Sequence, residues 1–272
     1  MKLLATSWLR WTAWFVLAVM FAAACVVLAN WQLDRRDQAV SKIERMIKNY
    51  DKPAIDLAQL ESLTVEEVTP FEWTPVQITG SYLVDQELLI RNRPIAGAPG
   101  FLQIVPFKVT TGEVVLIERG WIPADSDLAP ASIMTPGVNE KTVTARVRLG
   151  EQTPNRDSPE GFATSLHLAS LDELVPSDLE QSFYLRLISE SPGETSLPQP
   201  LGKPLLDEGN HLSYAVQWIL FALMGFFALF WAIRQEREYR RMEKDPNYVP
   251  RSARTRKLND GDIEDKLLDS RN

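Results

Sequence analysis

The stretch GNHLSYAVQWILFALMGFFALFWAI, residues 209–233, decides how the rest of the chain is read. From residue 213 to residue 233 it carries no charge, and about 20 such residues in a helix match the ~30 Å hydrocarbon core of a bilayer. A second run of the same kind, TAWFVLAVMFAAACVVLANW, occupies residues 12–31. It is longer than the ~7–15 apolar residues of a signal peptide, and no A-x-A site leads from it into a polar mature start. It therefore reads as a retained membrane helix, and the chain spans twice.

Positive charge near the spans sets the orientation. Arg234, Arg237, Arg240, Arg241 and Lys244 follow the second span, whereas the approach to it offers Lys203 against Asp207 and Glu208. The C-terminus is expected on the cytoplasmic side, and with two spans the N-terminus joins it, in agreement with Lys2 and Arg10. The expected plan is a cytoplasmic N-terminus (1–11), a first transmembrane helix (12–32), an extracytoplasmic domain (33–212), a second transmembrane helix (213–233) and a charged cytoplasmic tail (234–272). That tail has no sustained apolar period and reads as briefly helical, then disordered.

In the outward segment the period shortens. KIERMIKNY (42–50) keeps helical spacing and prolongs the first span. TPVQITGSYL (74–83) then sets Val76 and Ile78 against Gln77 and Thr79, and KTVTARVRLG (141–150) sets Val143, Ala145, Val147 and Leu149 against Thr144, Arg146 and Arg148. ELLIRNRP, LQIVPF, EVVLIERGW and SFYLRLIS are short apolar runs bounded by turn formers. Six strands, with helical pieces near 56–63 and 169–175, predict an α+β membrane protein: two transmembrane helices flanking a mostly antiparallel β-rich domain, a sheet or partial barrel. Segments 150–161 and 189–207 read as long loops.

Composition narrows the chemistry. A net charge of −7 argues against a nucleic-acid partner, and the single cysteine lies inside a span, so the domain has no disulfide. There is no G-x-S-x-G, P-loop or paired-cysteine motif, and two histidines are too few for a zinc or copper site built by this chain alone. The chain reads as non-enzymatic. Asp85, Glu87 and Glu118 read as ordinary strand-edge or turn carboxylates, Arg91 and Arg93 as a solvated strand end, and His167 as a surface or packing residue.

His211 stands apart because steps of four and three from it reach Ala215, Trp218, Ala222 and Gly225, a stripe that lets another helix approach closely. The first span offers Ala18, Ala22, Cys25 and Ala29. His211 then faces protein, where it serves either as an interfacial, helix-capping residue or as a haem-iron ligand with Tyr214 and Trp218 lining the porphyrin.

WQLDRRDQAVSK (31–42), WTPVQITGSYL (73–83), GFLQIVPF (100–107), VLIERGWIP (115–123) and above all NHLSYAVQW (210–218), in this order between two spans, resemble the Surfeit locus protein 1 family of cytochrome c oxidase assembly factors. The resemblance implies a factor that assists haem a insertion or stabilisation in the oxidase catalytic subunit, with haem a as a transient cofactor and His211 as the iron ligand. Gln32 and Arg35 match the family's WQ-and-Arg signature and join Tyr214 and Trp218 as cofactor-binding candidates. Arg119 is expected at a partner or propionate contact, with Gly120 and Trp121 shaping a strand-to-loop turn. Implied partners are the oxidase catalytic subunit, haem a synthase and membrane lipid; the implied location is the bacterial cell membrane, ahead of the mitochondrial inner membrane. The competing reading is a haem-independent scaffold that binds oxidase subunits.

Overall fold

The computed structural model describes residues 2–125, 129–152 and 162–245. Two helices long and apolar enough to cross a membrane flank a β-rich domain, so the fold is an α+β membrane protein. Helix α1 (Lys2–Asn49) holds the first apolar run and continues unbroken through the extension expected from KIERMIKNY. Helix α4 (His211–Lys244) holds the second and runs on past Ile233. The brief helix expected after Arg234 is therefore the end of α4, and residues 246–272 of the tail lie outside the described residues. The chain forms two compact units: α1 up to Gln38 with the chain from Glu208 onward, and Ala39–Asp207.

In the helical unit, burial follows the two stripes of small residues. Cys25 and Ala29 of α1 and Ala215 of α4 are buried, while Ala18, Ala22, His211, Trp218, Ala222 and Gly225 are half-buried. The other faces carry exposed Phe, Leu, Val and Met, as a lipid-facing surface requires. A Cβ on Gly225 would stand 3.2 Å from the Phe21 ring, so its missing side chain permits the approach of the helices there.

The second unit is built from β1 (Ile55–Asp56), β2 (Pro75–Tyr82), β3 (Leu88–Ile90), β4 (Gly100–Val109), β5 (Val114–Pro123), β6 (Lys141–Arg148) and β7 (Tyr184–Ser191). Short helices α2 (Val65–Val68) and α3 (Leu168–Asp172) accompany them. The sheet order is β1-β2-β6-β7-β5-β4-β3, and β2 also pairs with β4, setting Gly80 opposite Val109. That pairing closes β2, β6, β7, β5 and β4 into a barrel, which removes the exposed edges a partial barrel would leave. Neighbours are antiparallel except β1 with β2 and β5 with β7. All six expected strands are present. The seventh, β1, begins just before the stretch expected to be helical at 56–63, where a single 3-10 turn forms at Leu57–Gln59.

The alternating pattern of β6 turns Val143, Ala145 and Val147 into the barrel, where they meet Val76, Ile78, Val105, Phe107, Ile117 and Leu185. Strand β5 is apolar on both faces because its other side lies under a second core of Leu166, Leu168, Leu171 and Leu179 around α3. One end of the barrel interior is polar instead. Each barrel strand sends in one side chain: Tyr82 from β2, Gln103 from β4, Arg119 from β5, Lys141 from β6 and Glu190 from β7. Arg119 donates to Gln103 Oε1 at 2.9 Å, Tyr82 donates to Glu190 Oε2 at 2.8 Å, and Arg119 and Lys141 each stand 3.7 Å from Glu190 Oε1. Burial, and then the neighbouring Glu190 carboxylate, push the Tyr82 phenol up.

These contacts revise four expectations. Arg119 is not at a partner contact, since its side chain is fully enclosed in the barrel. Gly120 lies within β5 rather than at a turn. The segment after β7 crosses it so closely that a Cβ would sit 2.7 Å from the Gln199 carbonyl oxygen. Glu118 is no edge residue: it is buried and receives Arg186 Nε at 2.6 Å and Nη2 at 3.2 Å. The loop expected from residue 189 begins after Ser191, where β7 ends. The loop expected at 150–161 falls mostly outside the described residues.

Arg93 is likewise no solvated strand end. It grips Glu151 with two bonds of 2.6 Å, while the Leu166 amide and the Ser165 hydroxyl donate to the same carboxylate at 3.0 and 2.9 Å. Partial burial alone would raise the Glu151 carboxyl, but these four donors outweigh it and hold it at about 2. The folded value lies below the unfolded one, so this contribution to stability is complete above about pH 4.5 and drains away as pH falls towards 2. Glu151→Gln should therefore melt below wild type at pH 6, and the gap should close between pH 4.5 and pH 2 in thermal melts. A gap that ignores pH over that range would contradict the assignment.

Candidate functional site

The site grows from the first turn of α4. Gly209 has a φ of +73°, a left-handed conformation that glycine adopts without strain, and it turns the chain into the helix. Asn210 is the N-cap, and its carbonyl accepts the Tyr214 amide at 3.1 Å. His211 is thereby the first helical residue and stands on the stripe of α4 that continues through Ala215.

Across from it, α1 presents Gln32, one turn beyond Ala29. His211 Nδ1 and Gln32 Oε1 are 2.9 Å apart. An amide oxygen only accepts, so Nδ1 carries a proton, and in that tautomer of the imidazole the lone pair is on Nε2. Nε2 has no hydrogen-bond partner among the described residues. Gly209 also keeps that edge of the ring uncovered: a Cβ there would lie 3.3 Å from both Cδ2 and Nε2. Metal-binding histidines show this arrangement, with one nitrogen donating to a fixed acceptor and the other turned to the ion.

Of the other sequence candidates, the helix seam collects only Trp218, half-buried, with its ring edge-on to Phe221 at 5.8 Å. Tyr214 is half exposed, on a flank outside the stripe. Arg35 is exposed and donates to Gln38 at 3.1 Å, away from His211. In its place the structure brings in Arg36, one turn past Gln32, which pairs with Glu208 at 2.8 Å. Arg36, Glu208 and Gly209 were not singled out from the sequence, although the four-residue step from Gln32 points to Arg36. His167 belongs to the other unit, where it caps α3: its Nδ1 meets Ser170 Oγ at 2.7 Å and accepts the Ser170 amide at 3.3 Å.

Among the described residues no group of three or more His, Cys, Asp and Glu could cage a metal ion. The seam offers one imidazole with an open nitrogen. That donor could fill one ligand position of a metal centre whose other ligands come from elsewhere, whereas a zinc or copper cage needs several protein ligands.

Gln32 and His211 both lie within the stretch that a family comparison matches: the SURF1 family model covers residues 19–223. The chain belongs to the SURF1 family. The match takes in α1 from Val19 onward, the whole barrel and α4 as far as Leu223. Among similar proteins, an uncharacterised SURF1-like protein of Mycobacterium bovis is 31% identical over 266 residues, covering 95% of this chain and 94% of that one. A SURF1-like protein of Rickettsia bellii is 26% identical over 205 residues, covering 71% and 79%. The cytochrome oxidase assembly protein SHY1 of Saccharomyces cerevisiae is 32% identical over 120 residues, covering 43% of this chain and 30% of the yeast protein.

The geometry makes a prediction about the imidazole itself. In 15N spectra of the detergent-solubilised protein, wild-type His211 should populate the Nδ1–H tautomer almost alone. Gln32→Leu removes the acceptor and should leave a mixture of tautomers. Identical His211 nitrogen shifts in the two proteins would show that Gln32 does not orient the ring.

Proposed function

We propose that this SURF1 family member is an assembly factor for a haem–copper cytochrome c oxidase and that it holds haem a through His211 for insertion or stabilisation in the catalytic subunit. Family membership and the name of the yeast relative support the assembly role. The observation that carries the haem reading is the open Nε2 of His211, with Nδ1 held by Gln32 and a glycine beside it.

In this reading His211 would bind the iron through Nε2, Gln32 fixes its tautomer and direction, and Trp218 stands two turns along the same face of α4. Tyr214 stands one turn along with its phenol exposed, in reach of lipid or a ligand edge. Arg36 offers a guanidinium near the same end of the helix pair, a better placed cation for a propionate than Arg35. The haem would supply the iron centre that the oxidase later uses for oxygen chemistry; the chain contributes binding and orientation.

The asymmetry of basic residues around α4 supports a topology with both termini in the cytoplasm and the barrel outside, in a bacterial cell membrane. The oxidase catalytic subunit is then the receiving partner, and haem a synthase is the donor that the chemistry calls for.

The test is a reduced-minus-oxidised difference spectrum of membranes from deletion, wild-type and His211→Ala strains. Haem a absorbance should fall strongly in the deletion, and His211→Ala should resemble the deletion. Gln32→Ala should weaken haem a binding by about 10–100-fold, the usual cost of losing the group that orients a metal-binding histidine. Full oxidase in His211→Ala would remove the ligand role and leave a scaffold that works without haem.

A further inference from the structure

Below the close contact of Phe21 with Gly225, towards the start of α1 and the end of α4, a cleft of about 780 Å³ lies between the two helices. Its walls are Trp14, Leu17, Ala18, Phe21, Gly225 and Ala228, continued by Leu229 and Ala232. From Arg10 to Phe21 and from Gly225 to Glu236 each helix takes eleven steps, about 16 Å at 1.5 Å per residue. Half of the ~30 Å hydrocarbon core is ~15 Å, so the cleft is one leaflet deep. It stops where the small residues bring the helices together, whereas a third transmembrane helix would need a groove through both leaflets.

The mouth of the cleft is charged. Arg10 grips Glu236 through both carboxylate oxygens at 2.5 Å, and Arg240 joins the same carboxylate at 2.6 Å. Trp11 and Glu236 are shared with a second, smaller hollow of about 280 Å³ whose other walls are Trp8, Ile233, Arg237 and Arg240. Three guanidiniums against one carboxylate leave an excess of positive charge at headgroup level, flanked by two indoles, the side chains enriched at that depth.

We propose that this double cavity is a binding site for one anionic phospholipid, with an acyl chain in the interhelical cleft and the phosphate among Arg10, Arg237 and Arg240. The apolar depth selects a single-leaflet lipid, and the charge at the mouth selects an anionic headgroup over a zwitterionic one. Basic pockets beside transmembrane helices on the cytoplasmic side recognise anionic headgroups in this way. Such a lipid fills the gap that the helices leave below Gly225, and it completes the packing of the pair from the side opposite His211.

The test uses the full-length protein purified in mild detergent and exposed to equal amounts of phosphatidylglycerol and phosphatidylcholine, with retained lipid counted by native mass spectrometry. Wild type should retain about one phosphatidylglycerol per chain, at least fivefold over phosphatidylcholine. Arg237→Gln with Arg240→Gln should bring that ratio close to one, while Arg10 still pairs with Glu236. Ala228→Phe should lower retention of both lipids at least fivefold, with helicity checked by circular dichroism. A photo-crosslinking residue at Ala232, inserted in cells, should form an adduct with the mass of a lipid. Equal retention of the two lipids by wild type, unchanged retention in Ala228→Phe, or an adduct with a polypeptide would each overturn the proposal; the last would give the cleft to a partner helix.

Discussion

Between two apolar helices in lipid there is no water to expel, so van der Waals contact across small side chains and the few polar bonds at their ends decide how they pair. In this protein the buried points of that contact are Cys25 and Ala29 of α1 and Ala215 of α4, with Gly225 of α4 against the Phe21 ring of α1. Gln32 stands one turn beyond Ala29 and His211 one turn before Ala215, and the two side chains meet at 2.9 Å. The direction in which Nε2 points is then a property of the helix pair. A bulky residue on either stripe would separate the helices and release the ring, even though it would touch neither His211 nor Gln32.

The barrel answers a different requirement. A polar set lies inside one end, with one side chain contributed by each of the five barrel strands and three of them charged, and removing a partner from such a buried ion pair typically costs about 3–5 kcal/mol. Arg119, Lys141 and Glu190 are enclosed together, so the arginine in VLIERGW belongs to the interior of the domain. Glu118, buried, and Arg186, half-buried, form a second pair between β5 and β7. A motif rich in charge inside a strand thus served architecture at two neighbouring positions.

Much of this was readable from the residues. Period-two alternation located β2 and β6 and their inner faces, short apolar runs between turn formers located β3, β4, β5 and β7, and three-and-four spacing found both helical stripes. Closure of the barrel was not readable, because the β2 to β4 pairing joins segments through backbone bonds that leave no mark on side-chain pattern. The burial of Arg119 and Glu118 escaped for a related reason: their partners, Glu190 and Arg186, lie on β7, and pairing across the sheet is set by register. At the candidate site, His211, Gln32 and Trp218 followed from helical spacing and family resemblance. Arg36 in place of Arg35 needed the actual rotation of α1, and the part played by Gly209 needed its backbone angle. His167 proved to be a helix cap, a role that its neighbour Ser170 suggests only once α3 is known to start there.

The central proposal is that the helix pair holds His211 so that its Nε2 could bind haem iron, and chemical rescue tests it most directly. The purified His211→Gly protein, titrated with haem a, should bind at least tenfold more weakly than wild type, and added imidazole should restore the binding together with a wild-type Soret band. Wild-type affinity in His211→Gly without imidazole would contradict the account.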